Sequence, residues 1–326
     1  MTVVEHSLKG VAQFELPVRH PFNFRHTFWK PSHFHTGLEV HSRSTSWRSL
    51  VCDDGVPLGL RFDWDGEKVI VQVFADRRLS VARGALVKER IIRSYGLQED
   101  ISEFLSIAAN RPATADAISA LGGMRMSCPE NVFEIGILAV LLQNTTIART
   151  GQMLNGLLTS YGSTLEFDGV QLKCFFSPLR LSVVTSEELR NRCKLGYRAP
   201  TVSALAHHFA KRSRSADFPV GGAFEQRLRE KLVEIRGIGP FTASIIASHA
   251  LRQMSDPALD VWSTRVAARQ FGMDENAARE DVQSRLARDY PRFEALALLY
   301  MLEAECLSHP LVPLIPDCCP TNLPGR

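Results

Sequence analysis

The sequence predicts an α+β fold: an N-terminal antiparallel sheet, then a mostly α-helical part built around a helix, a glycine hairpin and a second helix. Three observations point there. Between Phe14 and about Val87, short apolar runs alternate with polar residues and are parted by turn signals. From about Glu89 to about His309 the apolar spacing becomes helical. Inside that helical part, Glu234-Ile-Arg-Gly-Ile-Gly-Pro-Phe-Thr-Ala-Ser-Ile-Ile246 sets two glycines between two helical patterns.

In chain order, residues 1 to about 10 read as a loose tail. The strand runs are Gly37-Leu-Glu-Val-His41, Trp47-Arg-Ser-Leu-Val-Cys52, Leu58-Gly-Leu-Arg-Phe62 and Lys68-Val-Ile-Val-Gln-Val-Phe74. The turns Asp53-Asp-Gly55 and Asp65-Gly-Glu67 join them, and the alternation predicts a sheet with one polar face, which Trp29 and Phe34 would help cover. Histidines 20, 26, 33, 35 and 41 lack paired ligand spacing beyond His33-x-His35, so they read as surface or core residues rather than metal ligands. Helices follow: a capped start at Asp100-Ile-Ser-Glu, then Asn110 to Leu121 and Asn131 to Gln143. The expected division is a sheet domain over 1–98, an all-helical domain over 99–308 and an irregular Pro-rich tail over 309–326.

A chain of 326 residues, 45% of them hydrophobic, can bury one large core or two. No apolar run is long enough to span a bilayer, and Met1-Thr-Val-Val-Glu-His6 does not read as a signal peptide. Seven cysteines are scattered without repeated Cys-x-x-Cys spacing, which fits reduced thiols in a cytosolic compartment. Net charge is only +3, but from Arg190 to Arg236 there are eleven Lys/Arg (190, 192, 194, 198, 211, 212, 214, 227, 229, 231, 236) against four acids (217, 225, 230, 234). A basic excess just ahead of the hairpin suits a nucleic-acid footprint, whereas isolated charge runs are usually solvated faces.

The hairpin carries the chemistry. Leu228, Leu232, Val233 and Ile235 give the helix before it an apolar face. Gly237-Ile238-Gly239 makes a tight turn with permissive backbone, and Pro240 suits the first turn of the next helix. The unpaired N–H groups of that helix can then hold a phosphate without side-chain charge. Past a short loop, Asp260 opens another helix running to about Phe271, a position where Asp is a good N-cap. A phosphate grip beside a carboxylate is also what breaking a nucleotide's glycosidic bond requires: one holds the backbone, the other faces the cation that develops on the sugar.

With Ile235-Arg-Gly-Ile-Gly-Pro-Phe-Thr-Ala243 and an Asp nineteen residues after Phe241, the sequence resembles the helix-hairpin-helix (HhH-GPD) DNA glycosylase superfamily. The sheet-first layout is similar to the branch of 3-methyladenine glycosylase II and 8-oxoguanine glycosylase. The resemblance implies a DNA-repair enzyme acting on a damaged base in double-stranded DNA, working as a monomer, without a membrane partner. It would sit at the nucleoid in a bacterial or archaeal cytoplasm, or in a eukaryotic nucleus. It implies that Asp260 is the catalytic aspartate and that Gly237, Ile238, Gly239, Phe241 and Thr242 form the backbone-binding hairpin. A monovalent ion would be held by the carbonyls of Ile235 and Ile238. Some relatives carry an iron–sulfur cluster on four closely spaced cysteines after the catalytic helix; only Cys306, Cys318 and Cys319 lie there, so no cluster and no other cofactor is expected.

Two further stretches resemble loops of 8-oxoguanine glycosylase. Leu142-Gln-Asn-Thr-Thr-Ile-Ala-Arg149 and Cys193-Lys-Leu-Gly-Tyr-Arg-Ala-Pro200 match loops that fill the gap left by a flipped base and read the orphaned cytosine. By that likeness Asn144, Arg149 and Arg198 contact the opposite base and Tyr197 is the wedge. From the residues alone, the first is a polar turn, and the second an exposed loop offering an aromatic and a cation. The departures matter too. Bifunctional members have a lysine where this chain has Phe241, so no Schiff base can form there, and a monofunctional enzyme is expected. Lys194 or Lys231 would have to substitute for a lyase to operate, and a binder without catalysis would not need Asp260. Ile245 stands where a thiol of the 8-oxoguanine pocket would be, and Ala295 and Leu299 stand near the places of a Gln and a Phe. The expected base pocket is Phe241, Ile245, Trp262 and Leu299.

Overall fold

The computed structural model describes residues 4–33, 36–42, 44–52, 55–129, 131–211 and 222–310. Phe34, His35, Asp53, Asp54, Arg212, Arg214, Asp217, Gly221, Cys318, Cys319 and the tail from 311 lie outside the described residues.

A five-stranded antiparallel sheet forms the first layer. It is built from β2 (Lys9–Pro17), β3 (Glu39–His41), β4 (Thr45–Val51), β5 (Pro57–Trp64) and β6 (Lys68–Ala75), in the order β2-β6-β5-β4-β3. Val69, Val71 and Val73 point to one face, as a period of two requires, and join Leu58, Leu60 and Phe62. The short helix α1 (Phe24–Phe28) and the longer α2 (Val81–Ser94) cover that face with Phe24, Phe28, Val87 and Ile91.

The other face is not the polar surface the alternation suggests. A second sheet covers it: β1 (Val4–Ser7), β7 (Ser163–Phe167) and β8 (Val170–Cys174), with β1 parallel to β7. Trp47 and Phe74 of the large sheet pack there with Leu165, Phe167, Val170 and Leu172. Contact is so close that a Cβ on Gly59 would lie 2.6 Å from the Phe167 ring. Two expectations change as a result. The first ten residues are not a loose tail, since residues 4–7 and 9–17 are strands. Nor is 99–308 all helical, because β7 and β8 return to the sheet. Their turn is Asp168-Gly169, both at positive φ (49° and 75°), the two-residue geometry that matches strand twist.

Helices make up the rest, in two cores. The first holds α5 (Val132–Leu141), α6 (Ile147–Tyr161), α7 (Pro178–Ser182), α8 (Ser186–Arg192), α9 (Ala199–Ala210), α10 (Gly222–Val233) and α11 (Pro240–Leu251). The second joins α3 (Ser102–Ala109) and α4 (Pro112–Leu121) to α12 (Val261–Gln270), α13 (Arg279–Asp289) and α14 (Glu294–Ser308). Ile235, Ile238 and Ile246 anchor the hairpin in the first core, while Ala267 and Ala268 anchor α12 in the second. The hairpin and Asp260 therefore meet where the two cores adjoin.

Hydrogen bonds and ion pairs tie the units together. Glu303 of α14, nearly inaccessible, accepts from Ser32 N at 2.8 Å and Ser32 Oγ at 2.7 Å. Arg48 bridges Glu39 at 2.8 Å and Glu134 of α5 at 3.5 Å. His33 pairs with Glu39 at 2.8 Å, and His41 stacks on Trp29, so both serve the interior as expected. Among the described residues no helix is long and apolar enough to cross a membrane.

Candidate functional site

Two glycines make the hairpin, but only one needs to be glycine for the backbone. Gly237 has φ +89°, and an added Cβ there would lie 1.9 Å from Thr201 Oγ1 of α9. Gly239 is extended, with φ −84° and ψ 173°, and a Cβ on it would meet nothing within 4 Å. Its place is the N-cap of α11, with Pro240 next, as the sequence predicts. Ile238 is buried, its N–H donating to Ile235 O at 3.0 Å, and Thr242 is buried too. Phe241 remains 40% exposed.

Asp260 is the N-cap of α12, as its residue type suggests. Its Oδ1 accepts from Ser263 N at 2.7 Å and Ser263 Oγ at 2.8 Å, while its own N–H donates to Ser263 Oγ at 2.8 Å. This reciprocal box fixes the carboxylate. The second oxygen has no protein partner among the described residues, and the side chain is exposed. Behind it, Thr264 Oγ1 donates to Asp260 O at 2.6 Å.

The α11–α12 loop that delivers Asp260 is held from three sides. Met254 O accepts from Ala295 N (2.8 Å) and Leu296 N (3.2 Å). Asp256 pairs with Arg229 of α10 at 2.5 Å, and Arg252 pairs with Glu99 at 2.5 Å. Asp260 and the start of α11 face a common open cavity of about 500 Å³, whose wall includes Phe241, Leu259, Val261, Thr264 and Arg265.

The two loops implied for the opposite base also converge. Tyr197 Oη donates to Gln143 O at 3.1 Å, and Arg198 Nη2 donates to the same carbonyl. Arg198 stacks on the Tyr197 ring, 4.4 Å from its centroid, and is buried, whereas Tyr197 is 60% exposed. Arg149 donates to Lys194 O at 2.7 Å, linking the start of α6 to the same loop. Asn144 is exposed at φ 45°. Thr146 of this polar stretch is a plain helix cap, accepting from Arg149 N at 3.2 Å.

Gln143 is the residue that sequence reasoning missed. Its Nε2 donates to Thr242 Oγ1 (3.1 Å) and Gly237 O (3.3 Å), so one side chain joins the opposite-base loops to the hairpin. Its place at the end of an apolar helix was the only signal.

The implied base pocket is not brought together as a set. Phe241 lines the cavity with Asp260, and Trp262 is exposed beside it, not core. Ile245 packs against the first helical core and Leu299 against the second. In the basic stretch, Lys194, Lys211, Arg227, Lys231 and Arg236 are exposed, while Arg192 pairs with Glu188 at 3.5 Å. Cys306 is buried, which pushes its thiol up to about 12.

Comparison with known proteins agrees with this fold. A probable N-glycosylase/DNA lyase of Methanothermobacter thermautotrophicus is 22% identical over 239 residues, covering 68% of this chain and 74% of that protein. The 3-methyladenine DNA glycosylase of Archaeoglobus fulgidus superposes with a TM-score of 0.71 at 20% identity, over 92% of this chain and 100% of that one. The 8-oxoguanine glycosylase/lyase of Clostridium acetobutylicum, bound to DNA with cytosine opposite the lesion, gives 0.61 at 14% identity, over 83% and 98%. Residues 137–292, which contain the hairpin, Asp260 and both converging loops, match the model of the HhH-GPD superfamily base excision DNA repair proteins.

Proposed function

We propose that the chain is a monofunctional DNA glycosylase of base excision repair, which flips a modified purine out of duplex DNA opposite cytosine and hydrolyses its N-glycosidic bond. The observation that supports this most is Asp260: one carboxylate oxygen is locked by Ser263 and the other is free, at the wall of a cavity shared with the start of the hairpin helix.

The chemistry follows from that placement. The exposed N–H groups at the start of α11 hold the backbone phosphate, which fixes the sugar. Extrusion carries the base into the cavity while Tyr197 props the gap. As the base leaves, C1′ becomes cationic. Asp260 stabilises that charge with its free oxygen and orients the attacking water, without having to reorganise, because Ser263 already holds it. Base and abasic sugar separate, the water supplying OH to C1′ and a proton to the base. Asn144, Arg149 and Arg198 read the cytosine left behind.

Phe241 offers no amine for a Schiff base. A monovalent ion at the carbonyls of Ile235 and Ile238 would have neutral oxygen donors suited to a hard cation, and would brace the hairpin without taking part in bond breaking. The relative named as N-glycosylase/DNA lyase favours a second reading, in which an exposed lysine such as Lys194 or Lys231 gives strand cleavage. Borohydride added during turnover on lesion duplexes separates the two. The monofunctional reading expects released base, strands that break only after alkali, and no protein–DNA adduct; a trapped adduct overturns it.

A further inference from the structure

Six arginines lie on or between α12, α13 and α14: Arg265, Arg269, Arg279, Arg285, Arg288 and Arg292. Four are neutralised by carboxylates. Arg269 pairs with Glu305 at 2.7 Å and Glu275 at 3.5 Å, and Arg292 pairs with Glu103. Arg285 and Arg288 share Asp289 at 2.6 and 3.1 Å. Arg265 and Arg279 are exposed and have no acid partner among the described residues, and both stand in the wall of the cavity that Asp260 faces.

We propose that Arg265 and Arg279, in the wall of the cavity that Asp260 faces, form a second phosphate grip on the damaged strand. This rests on the glycosylase reading of the site. The strand must pass the carboxylate of Asp260, and the hairpin turn itself, Gly237-Ile238-Gly239, offers N–H dipoles and no charged side chain. Guanidiniums in the same wall offset the repulsion between carboxylate and phosphates and present paired donors suited to phosphate oxygens. The other acid in that wall besides Asp260, Glu275, is paired with Arg269 and with neither of the two cations. With the backbone held at a second point beside Asp260, C1′ is pinned against the carboxylate.

The test is the salt dependence of binding by the full chain to a duplex carrying a tetrahydrofuran abasic analogue. Each phosphate neutralised by a cationic side chain contributes about −0.9 to the slope of log K against log salt. Arg265→Gln/Arg279→Gln should therefore flatten the slope by about 2. Its deficit relative to wild type should then shrink by about 12-fold between about 50 and 200 mM salt. The loss should be equal opposite C and opposite T, and Arg265→Lys/Arg279→Lys should restore the slope. An unchanged slope, with thermal melting showing a folded double-Gln protein, overturns the grip and leaves the glycosylase reading standing. A loss of excision rate at unchanged slope also overturns it, since the arginines would then act on the reaction and not on the strand. A flat wild-type affinity overturns both readings.

Discussion

Substituting Gly237 by alanine attacks the hairpin at its tightest point. An L-residue at φ +89° leaves its favoured backbone region at a cost of roughly 1–2 kcal/mol. The new methyl would also lie 1.9 Å from Thr201 Oγ1 and 3.0 Å from Thr201 Cβ. Relieving such overpacking adds about 1–3 kcal/mol, so the expected loss is about 2–5 kcal/mol. Denaturant unfolding measures it, and the origin can be divided. Thr201→Ala removes Oγ1, the atom nearest the methyl, and Cγ2 at 3.1 Å, but leaves Cβ and the backbone strain. The double variant should therefore recover part of the loss, with a coupling energy of about 1 kcal/mol or more. Gly239→Ala, with open space around its Cβ and an extended backbone, should change stability by less than about 0.5 kcal/mol yet weaken DNA binding, because on the proposed reading the methyl would stand where the phosphate approaches. Additive effects of Gly237→Ala and Thr201→Ala would refute the steric reasoning. Equal stability losses at both glycines would refute the distinction between them.

Arg198→Ala should narrow the preference for excision opposite C over T by roughly 1–3 kcal/mol, the scale of a lost bidentate contact, and the ratio of single-turnover rates on the two duplexes reads it. The same change frees Gln143 O and Tyr197, so a modest fall in melting temperature should accompany it. Acid sensitivity has a local source in His249. Burial pulls its pKa from 6.5 to about 4, with its Nδ1 2.9 Å from Ile245 O. The unfolded chain takes up that proton first, so stability is full above about 6.5 and falls as pH drops towards 4. Each such histidine adds at most about 1.4 kcal/mol per pH unit to the slope, and His41, also lowered to about 4, acts in the same window. His249→Gln should flatten the melting curve between pH 6.5 and 4; an unaltered profile would remove His249 from the account.

Local chemistry made much of the site legible in the sequence. Asp260 before an apolar period marks an N-cap, and Pro240 after Gly239 marks the first turn of α11; both helices begin there. The helix-hairpin-helix and the preceding sheet were readable for the same reason, since each depends on nearby residues. What failed to show depends on distant partners. Residues 4–7 are polar enough to pass for a tail, and become a strand only because β7 offers a parallel edge. The Asp168-Gly169 turn was a fair hairpin signal lost inside a helical stretch. Gln143 looks like any polar residue ending a helix, and its reach to Gly237 and Thr242 exists only in the folded chain. Ile245 and Leu299 were aligned by sequence position alone, which does not reveal that they pack into different cores.

Asp260→Asn tests the central claim most directly. Asparagine caps a helix as well as aspartate does, and its side-chain oxygen can still accept from Ser263 N, so the fold, the melting temperature and binding to duplex DNA should stay close to wild type. Only the charge facing the developing cation is removed. Single-turnover base release, measured at saturating enzyme on the lesion duplex that wild type excises fastest, should fall by about 10²-fold or more. Excision at the wild-type rate would make Asp260 a helix cap and nothing else, and would contradict the mechanism.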